Sequence, residues 1–235
     1  MSSKLTGKVA LITGANKGIG LEIARQLGAQ GITVLIGARD EQRGREAAQK
    51  LKAEQIDAHA VQLDVTEQAT IDAVASQIEN KFGKLDILVN NAGIALDTEP
   101  PSQLDIEVLR RTYETNFFSI FAVTKAMLPL LRKSEAGRIV NMSSGLGSLT
   151  QNSDPNYEYA QTKLLAYNSS KTALNAMTIQ FAYELKDTPI KVNSADPGYV
   201  ATEINGNRGV RTVQQGATAP VRLATLSEDG PTGGF

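Results

Sequence analysis

Short apolar runs alternate with longer amphipathic segments along the whole chain, and this alternation limits the possible folds more than any other feature. The apolar runs predict strands at residues 9–13, 33–38, 58–63, 85–90, 138–142 and 190–195. The segments between them predict helices at residues 19–29, 41–54, 67–82, 104–131, 160–186 and 213–226. Strands this apolar are expected where helices cover both faces of a parallel sheet. The sequence therefore predicts an α/β fold, a doubly wound parallel sheet of about seven strands flanked by helices, in one domain over residues 1–235.

A glycine-rich turn, T-G-A-N-K-G-I-G at residues 13–20, joins the first strand to the first helix. Glycine lets the backbone turn sharply and approach a pyrophosphate, and a helix N-terminus offers free N–H groups. A plain strand-to-helix turn is the alternative, because the spacing G-x-x-x-G-x-G differs from the G-x-G-x-x-G of longer dehydrogenases. Three glycines at this junction favour a dinucleotide site of the Rossmann type. The predicted contacts here are Gly14, Asn16, Lys17, Gly18, Ile19 and Gly20.

Arg39 follows the second strand, at the place where the adenosine ribose of a dinucleotide is expected. A cation there suits a 2′-phosphate, and Lys17 in the glycine turn could reach the same group. Asp40 could instead accept from a ribose hydroxyl, although its position better suits the N-cap of the next helix. Two cations outweigh one ambiguous carboxylate, so the sequence favours NADP(H) over NAD(H).

Polar residues also end the third and fourth predicted strands. Asp64 precedes Val65, and it could accept from an adenine amino group or cap the following helix. The fourth strand ends in N-N-A-G at residues 90–93, where Asn91, Ala92 and Gly93 are candidate cofactor contacts. A structural role for this turn is at least equally consistent with its sequence.

Tyr167 and Lys171 lie four residues apart in a predicted helix, so they share a face. A phenol beside an ammonium group should have a pKa below its usual value near 10, which suits proton transfer to a carbonyl oxygen. Tyr159 has the same spacing to Lys163, so spacing alone does not decide between the two tyrosines.

These residues resemble the short-chain dehydrogenase/reductase family over essentially the whole chain. The resemblance is carried by the turn at 13–20, Asp64, residues 90–93, Asn116, Ser144, Tyr167 with Lys171, Pro197-Gly198 and G-P-T-G-G at 230–234. It implies hydride transfer to or from nicotinamide and a catalytic set of Asn116, Ser144, Tyr167 and Lys171. It also implies cofactor contacts from Tyr167, Lys171, Pro197, Gly198, Val200 and Thr202.

In this resemblance Tyr167 is the proton donor for reduction, and Lys171 also holds the nicotinamide ribose. Ser144 would bond the substrate oxygen, with Ser143 as the reserve candidate. Asn116 would hold a water that relays protons to Lys171; otherwise it is a surface residue or a local defect in its helix.

The 23 positions between Ser144 and Tyr167 exceed the usual family spacing and indicate an insertion at about 149–165. Carbonyl reductases of the family carry an insertion at this place. It lies beside a helix that relatives use for pairing, so monomer and homo-oligomer both remain open. The loop at 203–212 is rich in Gly and Asn, so we expect it to be mobile and to leave the pocket open. Phe235 falls within the expected last strand, which predicts that the natural chain extends slightly further.

The composition narrows the function classes. A net charge of −1 is unsuited to nucleic acid or an anionic membrane, and the absence of cysteine excludes thiol catalysis. His59 is the only histidine and no metal site is expected. The apolar run at 9–12 is too short to span a bilayer and no leader is evident, so a cytoplasmic protein is expected.

The predicted function is NADPH-dependent reduction of aldehydes, ketones or quinones. The alternatives are an alcohol, sugar or steroid dehydrogenase, a 3-ketoacyl reductase, and a non-catalytic NADP-sensing regulator.

Overall fold

The computed structural model describes residues 5–235, in which strands and helices alternate as expected. The strands β1 to β6 are Val9–Thr13, Thr33–Ala38, Ala58–Gln62, Ile87–Asn90, Arg138–Met142 and Lys191–Ala195. The α-helices α1 to α8 are Gly18–Gly28, Glu41–Ala53, Gln68–Phe82, Ile106–Tyr113, Ser119–Leu131, Leu149–Ser153, Leu165–Glu184 and Val213–Ala224. A π-helical turn, Glu114–Phe118, joins α4 to α5, and short 3₁₀ turns occupy Gly145–Gly147 and Glu203–Asn205.

All six strands pair in parallel in the order β3-β2-β1-β4-β5-β6. The strand order reverses between β1 and β4, which opens a crevice at the carboxyl ends of these strands. This confirms the predicted doubly wound α/β fold of the Rossmann type.

The expected seventh strand is only partly formed in the described chain. The C-terminal segment lies along β6, where the Gly233 N–H donates to the Val192 carbonyl at 2.7 Å and the Ser194 N–H donates to the Gly234 carbonyl at 2.9 Å. Gly233 has a φ of +77°, which is outside the extended range and interrupts regular strand pairing.

Two apolar layers cover the sheet, and successive strand residues point into opposite layers. In β1, Ala10 and Ile12 join a cluster with α1, α2 and α8, whereas Val9 and Leu11 join a cluster with α3, α5 and α7. The two layers fix the sheet between helices and leave its carboxyl edge available for polar loops.

Two predicted helices differ from the structure. The segment predicted as one helix over 104–131 is divided by the π-helical turn, and the segment predicted to begin at 160 becomes helical only at Leu165. Within residues 5–235, every helix is too short or too polar to cross a lipid bilayer.

Candidate active site

The turn between β1 and α1 has the backbone geometry that its glycines allow. Gly14 and Gly18 have φ values of +63° and +58°, in the left-handed region that favours glycine. A Cβ on Gly20 would lie 2.5 Å from the Asn91 amide nitrogen. Lys17 precedes α1 and makes no side-chain cap, so it leaves the first-turn N–H groups to other partners. Such a helix N-terminus suits a phosphate group.

Asn91 fastens this turn to the end of β4. Its amide donates to the carbonyl oxygens of Thr13 at 2.8 Å and Gly14 at 3.2 Å. The Thr13 hydroxyl in turn accepts from the N–H groups of Asn91 and Ala92, both at 3.0 Å. The Asn91 side chain therefore supports the shape of the turn, and its contact with a cofactor stays a prediction.

The carboxyl ends of β2 and β3 lie side by side. The Asp40 carboxylate accepts from the Arg43 N–H at 3.0 Å, so Asp40 caps α2 as its position suggested. The Arg39 side chain is 83% exposed, and its Nε lies 4.0 Å from the Asp64 carboxylate. Asp64 accepts from the N–H and hydroxyl of Thr66, which closes a local turn.

The expectation that Asp64 caps the next helix is wrong. The N-cap of α3 is Glu67, three residues further on. The alternative expectation, a contact with adenine, stays a prediction.

A groove beside the glycine turn brings cations from two elements together. It is lined by Asn16, Lys17, Leu21, Arg43, Glu46, Ala47, Lys50 and Glu203. Arg43 was missed by the sequence reasoning, although it lies in the first turn of α2, close behind Arg39 in the sequence. Arg39 does not line this groove, whereas Lys17 and Arg43 do.

The loop after β6 is folded. Thr202 and Asn205 form a reciprocal capping box around a 3₁₀ turn, and Val200 bridges to Arg211. A Cβ on Gly209 would meet the Val200 backbone well inside contact distance, so glycine is needed for this close approach.

This loop also reaches the glycine turn. Glu203 forms an ion pair with Lys17, and the Thr202 methyl group lies 3.8 Å from the position of a Cβ on Gly18. The expectation that the loop at 203–212 is mobile and leaves the pocket open stays a prediction. Its glycines permit tight packing, and its polar side chains cap and pair within the site.

Ser144, Tyr167 and Lys171 converge at the carboxyl end of β5. Tyr167 and Lys171 lie in the first two turns of α7, and the Lys171 Nζ is 5.6 Å from the centre of the Tyr167 ring. Ser144 is hydrogen-bonded to Tyr167. Lys171 is only 4% exposed and donates to the Met142 carbonyl oxygen at 2.7 Å. The structure thus brings the predicted serine, tyrosine and lysine into one cluster.

The pKa of Tyr167 shifts in the opposite direction to the one expected. Burial raises the pKa of Tyr167 to about 12, while the hydrogen bond with Ser144 lowers it and the Asp196 charge raises it further. Burial also lowers the pKa of Lys171 to about 8. The expectation of a lowered tyrosine pKa is wrong for this structure because the amine is directed at Met142 and desolvation dominates both groups.

Asn116 lies in the π-helical turn and is fully buried, so the expectation of a surface residue is wrong. Its amide oxygen accepts from the Ile94 N–H at 2.9 Å, and its amide nitrogen donates to the Ile94 carbonyl at 2.8 Å and the Ser170 hydroxyl at 3.1 Å. A Cβ on Gly93 would lie 3.4 Å from Asn116 and 3.5 Å from the Lys171 amine. Asn116 therefore stands beside Lys171, across a glycine that leaves room between them. π-helical turns of this kind occur often at functional sites.

The structure disfavours both rival residues. Tyr159 and Lys163 precede α7, so helical stacking does not pair them, and the Lys163 amine instead donates to Asn152. Ser143 is buried and donates to the Asn175 amide oxygen at 2.6 Å. Neither rival takes part in the cluster around Tyr167.

Asp97 is a further residue at the site that the sequence reasoning missed. Its two carboxylate oxygens accept from the N–H groups of Ala166 at 2.7 Å and Tyr167 at 3.1 Å. The N-cap position of α7 is Leu164, which has no side chain able to do this. A carboxylate from another loop therefore fixes the first turn of the helix that carries Tyr167. The signal could not be found locally, because 69 positions separate Asp97 from Ala166.

Replacement of Asp97 by alanine should lower both stability and turnover. Loss of a helix-capping carboxylate typically costs about 1–2 kcal/mol of unfolding free energy, and here it also frees the backbone of Tyr167. Chemical denaturation and steady-state kcat of D97A measure the two effects. D97N, which retains an oxygen acceptor, should recover part of both; a D97A enzyme with unchanged kcat would show that the carboxylate does not position Tyr167.

Comparison of the sequence with known proteins identifies its family. Residues 8–211 match the model of the short chain dehydrogenase family. The chain belongs to this family of short-chain dehydrogenases/reductases. A short-chain dehydrogenase/reductase from Saponaria officinalis is 37% identical over 97% of this chain and 93% of its own. Carbonyl reductase [NADPH] 3 from Mus musculus is 35% identical over 94% of this chain and 92% of its own.

Solved structures show the same fold. A gluconate 5-dehydrogenase from Burkholderia cenocepacia, in complex with NADP and tartrate, superposes with a TM-score of 0.86 and 27% identity, over 98% of this chain and 92% of the other. Members of the family are oxidoreductases that use nicotinamide cofactors and act on small molecules. The protein is therefore an oxidoreductase of this kind.

Proposed function

We propose that this oxidoreductase uses NADPH to reduce the carbonyl group of aldehydes, ketones or quinones. The observation that carries the proposal is the cluster at the end of β5. In it Tyr167 is hydrogen-bonded to Ser144, and the Lys171 amine lies over the Tyr167 ring. The Tyr167 hydroxyl is protonated near neutral pH, so it has the proton that reduction of a carbonyl group requires.

The chain's own groups fit a dinucleotide. The positive φ of Gly14 and Gly18 and the small space at Gly20 would bring backbone against a pyrophosphate, with Asn16 and Ile19 in the same turn. The adenosine would be bordered by Arg39, Asp64 and Val65. A ribose of the cofactor would be bordered by Ala92 and Gly93. Pro197, Gly198, Val200 and Thr202 would border the nicotinamide end.

A bound nicotinamide would supply the hydride, and the protein's residues would manage the proton. Tyr167 would donate its phenolic proton to the substrate oxygen, and Ser144 would hold that oxygen by a hydrogen bond. The Lys171 ammonium group would stabilise the phenolate that forms. Asn116, which lies beside Lys171 across Gly93, would hold a water that relays protons to Lys171.

The cations around the glycine turn support NADPH over NADH. Lys17 and Arg43 line one groove, and Arg39 lies at the end of β2. The Lys17 pairing with Glu203 leaves its amine close to the turn, where a phosphate can compete for it. The solved relative with bound NADP and the mouse relative named for NADPH agree with this preference.

The direct test is incubation of the purified protein with NADPH and a panel of aldehydes, ketones and quinones, with NADPH absorbance as the readout. We expect absorbance to fall with some members of the panel, and faster with NADPH than with NADH. No loss of absorbance with any carbonyl compound would contradict the proposal and favour an NADP-sensing regulator.

A second candidate is a sugar or other alcohol dehydrogenase of the same family. The gluconate 5-dehydrogenase relative favours it, because that protein shares the fold across nearly the whole chain. Alcohols oxidised with NADP, in the absence of reduction of any carbonyl compound of the panel, would establish it instead.

Cofactor discrimination should depend on Arg43. Removal of a charge-assisted contact to phosphate should raise the Kd of NADPH about tenfold or more, while the Kd of NADH, which lacks that phosphate, changes little. Fluorescence titration of R43A with both cofactors measures this, and R39A tests the originally predicted cation in the same way. Arg45 is the matched control, since it lies on the same helix but does not line the groove. Equal losses for both cofactors would show that the phosphate is not read by these cations.

A further inference from the structure

Three tyrosine rings pack together at the mouth of the site. Tyr157 and Tyr159 meet edge to face with centroids 5.6 Å apart, and Tyr159 lies 5.8 Å from Tyr199. The first two come from the inserted segment, and the third comes from the loop after β6. All three residues are partly exposed.

The Asp196 carboxylate lies next to these rings and beside the reacting groups. A Cβ on Gly145, the residue after Ser144, would stand 2.5 Å from the Tyr157 hydroxyl and 3.1 Å from the Asp196 Oδ2. The other Asp196 oxygen accepts from the Gly198 N–H at 2.8 Å. One oxygen thus fixes the side chain and the other faces the space beside Ser144. We call Tyr157, Tyr159, Tyr199 and Asp196 the tyrosine–aspartate wall.

The negative charge of Asp196 in this wall is not paired with a lysine or arginine side chain in the described part of the chain. Among residues 5–235, no lysine or arginine nitrogen lies within 4.0 Å of the Asp196 carboxylate. Arg211 packs against Gly198, but its guanidinium group donates to the Gln215 carbonyl oxygen. Lys163, in the inserted segment, donates to Asn152. Burial raises the pKa of Tyr157 and of Tyr159, and the Glu158 and Asp196 charges raise both further.

We propose that the tyrosine–aspartate wall binds a cationic group of the substrate, so that the preferred substrates are carbonyl compounds that carry a protonated amine. Aromatic faces attract ammonium groups, and a carboxylate at their edge adds a direct ion pair. The position of Asp196 beside Ser144 places that cation near the reacting carbonyl. This inference rests on the proposed carbonyl reduction and specifies its substrate class.

The test compares two aldehydes of matched shape. para-(Dimethylaminomethyl)benzaldehyde carries a protonated amine at about pH 7, and para-isobutylbenzaldehyde is its neutral counterpart. We expect the kcat/KM of NADPH oxidation to be about tenfold higher for the cation. In D196N, which retains the oxygen that accepts from Gly198, this ratio should fall several-fold.

D187N is the matched control, because it removes the same charge from the surface. Asp187 is exposed and follows the far end of the 20-residue helix α7, roughly 30 Å from Tyr167. The ratio should be unchanged in this variant. Benzyltrimethylammonium should also inhibit reduction of the neutral aldehyde competitively in the unaltered enzyme, which tests the wall even if D196N fails to fold.

The possible failures are distinguishable. Reduction of both aldehydes at similar kcat/KM, without inhibition by the ammonium compound, would overturn the wall's role and leave carbonyl reduction standing. A cation preference that is undiminished in D196N would assign the recognition to another group. Absence of reduction of every carbonyl compound would overturn both proposals.

Discussion

Replacement of Tyr167 by phenylalanine is expected to reduce kcat for carbonyl reduction by about 10²–10⁴-fold. The ring and its packing remain, but the hydroxyl that is bonded to Ser144 and would protonate the substrate oxygen is removed. A hydride cannot be accepted efficiently by a carbonyl whose oxygen gains no proton. Steady-state NADPH oxidation measures the loss.

The cofactor provides the control for this variant. NADPH binding, followed by fluorescence, should stay nearly the same, since the glycine turn and the cations near it are untouched. Y159F is the matched substitution in the tyrosine that shares the four-residue spacing to a lysine. If Y167F kept its activity and Y159F lost it, the assignment of the proton donor would move to Tyr159.

The fold was predictable because its signal is local and repeated. The central strands β1, β2 and β4 are apolar runs buried on both faces, and strands of this kind are typical of a parallel sheet covered by helices. The first residue of the helix α7 was less predictable. Its start depends on Asp97, which caps it from a distant loop, so the sequence around residue 160 gave no sign of where the helix begins.

The meeting of Tyr167 and Lys171 was predictable because helical spacing stacks them, although Tyr159 with Lys163 has the same spacing. Parallel strands bring their carboxyl ends to one edge, which places the serines after β5 nearby, but only the family resemblance selected Ser144 over Ser143. The pKa values of Tyr167 and Lys171 were not predictable, because they depend on desolvation by the surrounding chain and on the Met142 carbonyl that the Lys171 amine contacts. Asn116 shows the same limit, since burial against the backbone of Ile94 is a tertiary contact that converts an unfavourable helix residue into a fixed one.

Replacement of Lys171 by methionine is expected to reduce kcat for carbonyl reduction by about 10²-fold or more and to remove a step from its pH profile. Methionine has a similar length and suits a buried site, so the fold should tolerate the change. The ammonium group that would stabilise the Tyr167 phenolate is lost. Reduction rates measured across a pH series, for the unaltered enzyme and for K171M, test both effects.

The sign of the pH dependence follows from the lowered pKa of Lys171. With a pKa of about 8, the amine is charged below that pH and neutral above it, whereas Tyr167, with a pKa of about 12, stays protonated throughout. Reduction by the unaltered enzyme should therefore decline as the pH rises through about 8, and K171M should lack this decline. K163M is the matched control, because it removes an exposed lysine that contacts Asn152 instead. A decline that persists unchanged in K171M would assign the titration to another group and leave Lys171 with a role in packing alone.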